Sequence, residues 1–373
     1  MKIVIAMDSF KGTLRSDEAC EIVADAIVEC APGSKVVTKP MADGGEGTAR
    51  AMMKAANGRW VPRTVIGPLP DMQVEAGFAW FDADSTALVE MASASGLELL
   101  AEEQMDPLKT TTYGTGQLVK SSQEYGARKI LLAVGGSATV DGGVGAAIAL
   151  GWVFSDRQGK PVPFGGQALE QIADIVRPND LRLVPVEVLC DVDNPLCGEH
   201  GAARVYGPQK GATPQMVERL EKGLSRLAGL VRKHTQQDIC NVPGAGAAGG
   251  LAAGAMAFMN ATLVSGIETV VARSNLSAEL TNADWVITGE GSFDHQSLRG
   301  KVVAGVLKLA KQSGTHLAVL AGQVNLPRNE YDELGIAAAF SCRQEDMSLD
   351  YALENSRSLL RQAARTFAKD HLT

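Results

Sequence analysis

At 373 residues the chain exceeds what one ordinary hydrophobic core serves, so two domains are expected. Hydrophobic residues at 45% against 21% charged exclude a disordered chain, and a net charge of −8 argues against nucleic acid as the main partner. No apolar run reaches the roughly 20 residues of a membrane span, so no membrane partner is expected.

The opening MKIVIAMDSF meets an acid after a few apolar residues, which reads as a first strand rather than a signal peptide and leads us to expect a cytoplasmic protein. Ile3 to Met7 forms that strand, and it runs into Asp8-Ser9-Phe10-Lys11-Gly12-Thr13. Ligands of open parallel sheets bind beyond the carboxyl ends of strands, which makes Asp8, Ser9 and Lys11 candidates. Ala19, Ile22, Val23, Ala26 and Ile27 share one face of a helix that begins near Ser16 and stops at Ala31-Pro32-Gly33. Lys35 to Lys39 is a second strand. It feeds the turn Asp43-Gly44-Gly45-Glu46-Gly47-Thr48, after which a helix is expected to about Ala56. This β-α-β-α rhythm opens a doubly wound α/β fold.

At Asn57-Gly58 the rhythm changes. Trp60 to Ile66, Gln73 to Phe81 and Thr86 to Met91 are strand-like with short polar turns, an antiparallel meander that begins a second domain. The hydroxyl cluster Thr110-Thr111-Thr112 precedes a helix to about Tyr125 and serves either to cap it or to bind a phosphate. Then comes the stretch around which the chain is organised. A bare apolar strand, Ile130 to Val134, enters the turn Gly135-Gly136-Ser137-Ala138-Thr139-Val140-Asp141, and a small-residue helix runs from Val144 to Leu150. A strand, a Gly/Ser/Thr turn and a helix start aim several N–H groups at one spot, which suits an anion. The D-G-G-x-G pattern of Asp141 to Gly145 repeats that of Asp43 to Gly47, and two such turns argue for a cleft.

A polar hairpin-like piece follows from Ser155 to Val162. The strand Val186 to Cys190 ends at Asp191-Val192-Asp193-Asn194-Pro195, a magnesium or general-base position or simply an Asx turn. Lys210 is the single lysine of the loop before a long helix, Pro214 to about His234. Gly244 to Gly249 fits G-x-G-x-x-G with Glu268 downstream, but Pro243 stands where a strand should end. A close-packed helix entry is therefore expected instead of a nicotinamide site. From Asn282 the first rhythm returns. Trp285 to Thr288, His316 to Leu320 and Ile336 to Phe340 are strands, and Lys301 to Gln312 and Leu349 to Ala368 are helices. Gly289-Glu290-Gly291-Ser292-Phe293-Asp294 is the turn after the first of these strands. Residues 1–57 and 280–373 are thus expected to form one domain, with 58–279 a second. The cysteines, scattered without C-x-x-C spacing, suggest neither a disulfide framework nor a zinc site.

Collected, the strand ends offer several acids, at least two lysines and many N–H groups, the mixture that phosphoryl transfer needs. G-x-x-x-x-G-K-[ST] is absent, as are H-R-D with D-F-G and the G-x-S-x-G elbow. P-loop kinases, protein kinases and elbow hydrolases are excluded accordingly. Among the five histidines only His295, beside Asp294, is kept as a substrate contact.

MDSFKGT at Met7 to Thr13, PMADGGEGT at Pro40 to Thr48, GGSATVDGGVGAA at Gly135 to Ala147, CDVDNPLCG at Cys190 to Gly198, GPQKGA at Gly207 to Ala212 and TGEGSFDHQSLRGK at Thr288 to Lys301 resemble the bacterial glycerate kinase family of the glycerate 2-kinase type. The resemblance runs through nearly the whole chain in order. It implies a Rossmann-like three-layer domain with a second, inserted α/β domain and an active-site cleft between them. It also implies magnesium-assisted transfer from ATP to D-glycerate, giving 2-phosphoglycerate in glyoxylate, glucarate or galactarate breakdown; the 2-position rests on the resemblance alone.

The candidate binding residues are Asp8, Ser9, Asp43, Gly44, Gly45, Gly135, Gly136, Ser137, Thr139, Asp141, Gly289, Gly291, Ser292, Arg299 and Lys301. Asp191 is the expected general base, Lys11 or Arg299 the anchor of the glycerate carboxylate, and Glu290 or Asp294 the magnesium ligand. Lys210 or Lys301 is expected to offset charge on the transferred group. Two other readings compete: a sugar-acid sensor on the same scaffold, and a dehydrogenase that rests on Gly244 to Gly249 alone.

Overall fold

Ile3 to Met7 are all fully buried, as a strand covered on both faces must be. They lie in β1 (Lys2–Met7), from which the chain passes through the helix Ser16–Cys30 to β2 (Lys35–Thr38), paired parallel to β1. The computed structural model describes residues 1–298 and 300–373. It divides into one unit of Met1–Asp43, Arg50–Gly58 and Ile267–Thr373, and another of Gly44–Ala49 and Arg59–Gly266.

The second unit opens with the expected meander, β3 (Arg59–Ile66), β4 (Gln73–Phe81) and β5 (Thr86–Glu90), each antiparallel to the next. After the helix Tyr113–Glu124, β6 (Lys129–Ala133) returns parallel to β5. β7 (Val153–Ser155) and β8 (Asp174–Val176) make a small separate ladder. β9 (Val186–Leu189) and β10 (Thr262–Val264) then extend the main sheet in parallel, giving the order β10-β9-β6-β5-β4-β3. In the first unit, β11 (Trp285–Gly289) pairs with β1. β12 (Ser292–Phe293) and β14 (Gln323–Val324) form a short parallel ladder, while β13 (His316–Ala321) and β15 (Ala338–Ser341) complete an all-parallel sheet of order β15-β13-β11-β1-β2. Alternation assigns its two faces. Ile3, Ile5, Met7, Ile287 and Leu320 pack with the helices Ser16–Cys30 and Ser356–His371. Val4, Ala6, Val286 and Val319, equally buried, face the other side, where the helix Val302–Ser313 lies on β11 and β13.

Ser155 to Val162 folds back on itself as expected, with Ser155 bridged antiparallel to Pro161 and Val162 N–H donating to Phe154 O at 3.1 Å, while β7 also pairs with β8 further along the chain. One expected element differs. The expected closing helix from Leu349 to Ala368 is two helices, Leu349–Glu354 and Ser356–His371. Asn355 leaves helical geometry, and its side chain donates to the Tyr351 carbonyl at 2.9 Å. All six cysteines are free, and among the described residues no helix is long and apolar enough to cross a membrane.

Gly244 to Gly249 is a packing device, as the proline before it suggested. The backbone turns left-handed through Ala248, Gly249 and Gly250, and the helix then runs on to Met259. A Cβ on Gly249 would stand 1.9 Å from the Thr139 carbonyl oxygen, and the Gly249 carbonyl lies against the second D-G-G turn, where Gly142 donates to it at 3.1 Å. Gly249→Ala therefore meets both a positive φ and a backbone clash. We expect it to lower stability by about 2 kcal/mol or more, read as a shifted urea midpoint.

Candidate active site

Strand order determines where the first unit can bind a ligand. The chain leaves β1 toward β2, whereas β11, β13 and β15 fill the opposite side, so the order reverses between β1 and β11. Open parallel sheets bind ligands beyond the carboxyl ends of their strands at such a point. The residues there are Asp8 to Thr13 after β1 and Glu290 onward after β11.

Asp8 is 8% exposed; its N–H donates to Gly289 O at 2.9 Å and its Oδ1 accepts the Ser9 N–H at 2.7 Å. Burial, and after it the Asp43 carboxylate, pushes the Asp8 carboxyl up to about 8; the Ser9 N–H and Lys11 pull it down, and Glu290 adds to the rise. Glu290, also 8% exposed, is raised by burial first, with Ser297 and Lys301 opposing. Its Oε2 lies 3.9 Å from Lys301 Nζ, and its buried Oε1 has no hydrogen-bond partner among the described residues. The structure thus gathers Asp8, Asp43, Glu290, Lys11 and Lys301 at one sheet end.

Asp294 is committed elsewhere. Its Oδ1 accepts Gln296 N–H at 2.8 Å and its Oδ2 accepts the Ser292 hydroxyl at 3.2 Å, so it stabilises its own turn, whereas Glu290 Oε1 accepts no hydrogen bond from the described residues. His295 Nε2 sits 3.0 Å from Glu330 on the surface. Gly289 lies within β11, where a Cβ would come 1.7 Å from Leu320 O; it serves the sheet, while Gly291 is exposed and a Cβ there would make ordinary contact with Lys11 N at 3.8 Å. Arg299 lies outside the described residues. Among the described residues no three His, Cys, Asp or Glu side chains stand close enough to hold a metal unaided.

In the second unit the two glycine-rich turns do meet. A Cβ on Gly135 would lie 2.5 Å from Gly45 Cα, and one on Gly44 would lie 3.2 Å from Leu189 O, at the end of β9. The anion that their helix starts attract is a side chain of the protein itself. Asp141 is 1% exposed and accepts from Thr112 N–H at 2.8 Å, Thr112 Oγ1 at 2.9 Å, Gly143 N–H at 3.1 Å and Gly145 N–H at 3.2 Å. Asp141, expected to contact a ligand, instead satisfies the helix N-terminus. The first turn is treated alike by Glu90, which accepts Ala49 N–H at 3.1 Å and N–H groups of Gly47 and Thr48. Sequence reading missed Glu90; its only signal was an acid at the end of the meander. Thr112 neither caps its own helix nor faces solvent, since its hydroxyl joins Asp141 to the Ala146 N–H.

Lys210 is 1% exposed. Its Nζ donates to Ser137 Oγ at 2.6 Å and to the Thr139 carbonyl at 2.8 Å, bracing the loop that carries Gly135 and Gly136. Thr139 Oγ1 is buried without a partner among the described residues. Asp191, half-buried after β9, accepts Gly266 N–H at 3.1 Å through Oδ1.

A model of the Glycerate kinase family matches residues 3–372 of the chain. The chain is 43% identical over 370 residues to the glycerate kinase of Halalkalibacterium halodurans, covering 98% of this chain and 97% of the relative. It is 42% identical over 371 residues to the glycerate 2-kinase of Escherichia coli K12, covering 99% and 97%. A crystal structure provisionally described as glycerate kinase 2 from Salmonella typhimurium LT2 matches with a TM-score of 0.84 at 41% identity, covering 99% of this chain and 98% of that one.

Burial pushes the Lys210 ammonium down to about 7 from 10.5, against the pull of Asp141. Between those values the unfolded chain holds more protons than the fold, so stability rises with pH there and the burial penalty is greatest below about 7. Replacing Lys210 by Met removes this slope. The stability of wild type relative to Lys210→Met should climb above pH 7 by up to about 1.4 kcal/mol per pH unit and stay flat below it, as measured by urea denaturation of both proteins across that range.

Proposed function

Because the chain belongs to the glycerate kinase family and is a kinase, we propose that it transfers the γ-phosphoryl group of ATP to the 2-hydroxyl of D-glycerate. The products are then 2-phosphoglycerate and ADP, in the cytoplasmic breakdown of glyoxylate, glucarate or galactarate. One observation carries the reading: the buried Glu290 Oε1, without a partner among the described residues, beside Asp8 and within reach of Lys301 at the point where strand order reverses.

An unsatisfied buried carboxylate oxygen is costly unless a ligand completes it. Glu290 and Asp8 suit magnesium, which takes one or two carboxylates and fills its remaining positions with water and substrate phosphates. When bound, magnesium supplies charge neutralisation on the β- and γ-phosphates. Lys11 and Lys301 add positive charge beside the same acids, so we assign Lys11 to the phosphates rather than to the glycerate carboxylate. Asp191 takes the proton of the attacking hydroxyl; its bond from Gly266 fixes one oxygen. Lys210, enclosed by its own loop, acts by holding Ser137 and Thr139 in place for the N–H groups of Gly135 and Gly136.

ADP release that requires both D-glycerate and magnesium is the expected outcome. In the phosphorus spectrum of the product, coupling to one carbon-bound proton marks the 2-position and coupling to two marks the 3-position. ADP release indifferent to D-glycerate would overturn the reading. Asp191→Asn keeps the acceptor for Gly266 but loses the base, so we expect kcat to fall at least about a hundredfold with an unchanged thermal midpoint.

A further inference from the structure

Beside the acid pair, the first unit holds a pocket of about 210 Å³. Its lining comes from the loops after β1, β11, β13 and β15 and from the helices Leu349–Glu354 and Ser356–His371. It therefore lies along the carboxyl edge of the parallel sheet, where such sheets bind ligands. Phe10, Leu349, Leu353 and Leu359 give it apolar walls, and Lys11 and Arg343 are its charged members. The glycines permit the close approach of its loops: a Cβ on Gly322 would lie 2.4 Å from Gly291 O.

Size, polarity and charge each constrain the occupant. Whole drug-sized ligands take roughly 300–1,000 Å³, so this pocket suits one planar ring system rather than a complete nucleotide. Leu349 is 54% exposed and Leu353 45% exposed, apolar surface of the kind that marks a ligand groove. The Gln323 amide and the Ser356 hydroxyl also line the space and offer donors and acceptors to a ring edge. No acid lines it. Arg343 donates to Met347 O at 3.0 Å and to Gln323 Oε1 at 3.4 Å, neutral partners that leave its charge uncompensated among the described residues. Lys11 belongs to both places, since it lines the pocket and also pulls down the Asp8 carboxyl.

We infer that this pocket seats the purine base of the nucleotide, with the phosphate chain running past Lys11 to Asp8 and Glu290. The unit of Met1–Asp43, Arg50–Gly58 and Ile267–Thr373 then carries the nucleotide, a division of labour that deepens and rests on the kinase reading above.

The test uses the full chain without glycerate. An azido-ADP photolabel should attach within residues 342–359; attachment confined to Arg59–Gly266 would refute the inference. Ala352, on the pocket wall, is replaced by Trp to fill the space. A fluorescent ADP analogue should then bind at least tenfold more weakly, and the KM for ATP should rise by a similar factor while that for D-glycerate stays within twofold. A folded Ala352→Trp protein with unchanged analogue affinity overturns the proposal. If that variant does not fold, Arg343→Gln serves instead, with threefold or greater weakening expected and none as the refuting result. Binding is read without turnover, so the two readings fail separately. Base-directed ADP binding by a protein that leaves D-glycerate unphosphorylated sinks the kinase reading and upholds this one.

Discussion

The four donors converging on Asp141 are the constraint on which the second unit depends. Thr112, Gly143 and Gly145 direct N–H groups at a carboxylate that is 1% exposed, and the Thr112 hydroxyl ties the same acid to a neighbouring helix. Burial raises the Asp141 carboxyl, and each of those donors pulls it back. Each hydrogen bond to such a buried charge is commonly worth about 1.5–3 kcal/mol. The turn is consequently held in one geometry. Lys210 reinforces it from the other side, anchoring Ser137 and Thr139 a few residues before the acid. Glu90 repeats the solution at the first glycine turn, so both turns are fixed by carboxylates that never need to leave.

The first unit shows the opposite arrangement. Asp8 and Glu290 are about as buried as the structural acids but have few donors, and Glu290 Oε1 has none among the described residues. Folding alone does not repay that burial. Perturbed carboxyls in a crevice mark functional sites, although structural networks perturb them too, and the contrast separates the two kinds here. The structural acids have their oxygens answered by N–H groups, and Glu290 has one that is not answered among the described residues.

Much of the fold was legible because its signals are local. Fully apolar runs gave the parallel strands, the polar turns between Trp60 and Met91 gave the meander, and Pro243 pointed to the close-packed helix entry that Gly249 makes against Thr139. What was not legible depends on contacts distant in sequence. The D-G-G-x-G turns were read as offering N–H groups to a ligand, a correct account of the donors but not of the acceptor. Asp141 meets Thr112 across 29 residues, and Glu90 meets Ala49 across 41, separations that no periodicity reveals. Asp294 was an equal candidate with Glu290 because both acids occupy one turn; the structure shows that Asp294 accepts hydrogen bonds within that turn and that Glu290 Oε1 accepts none from the described residues. The break at Asn355 had a visible cue in Asn-Ser within a helical run, overridden by the apolar pattern on either side.

These differences also bear on how binding couples to stability in the first unit. A ligand that binds only the fold stabilises it by mass action, and the gain is largest where the empty site is electrostatically strained. Asp8 and Glu290 oppose each other with like charge, and the Asp43 carboxylate worsens the conflict. Lys11 and Lys301 relieve it only in part, one being exposed and the other 3.9 Å from its partner. A cation drawn to the acids would offset their mutual repulsion, and an anion would do the same for the lysines. Neither charge group favours both kinds of ion, because the acids repel an anion and the lysines repel a cation. Which loops the sheet order brings side by side thus sets two opposite charge groups at one strand end.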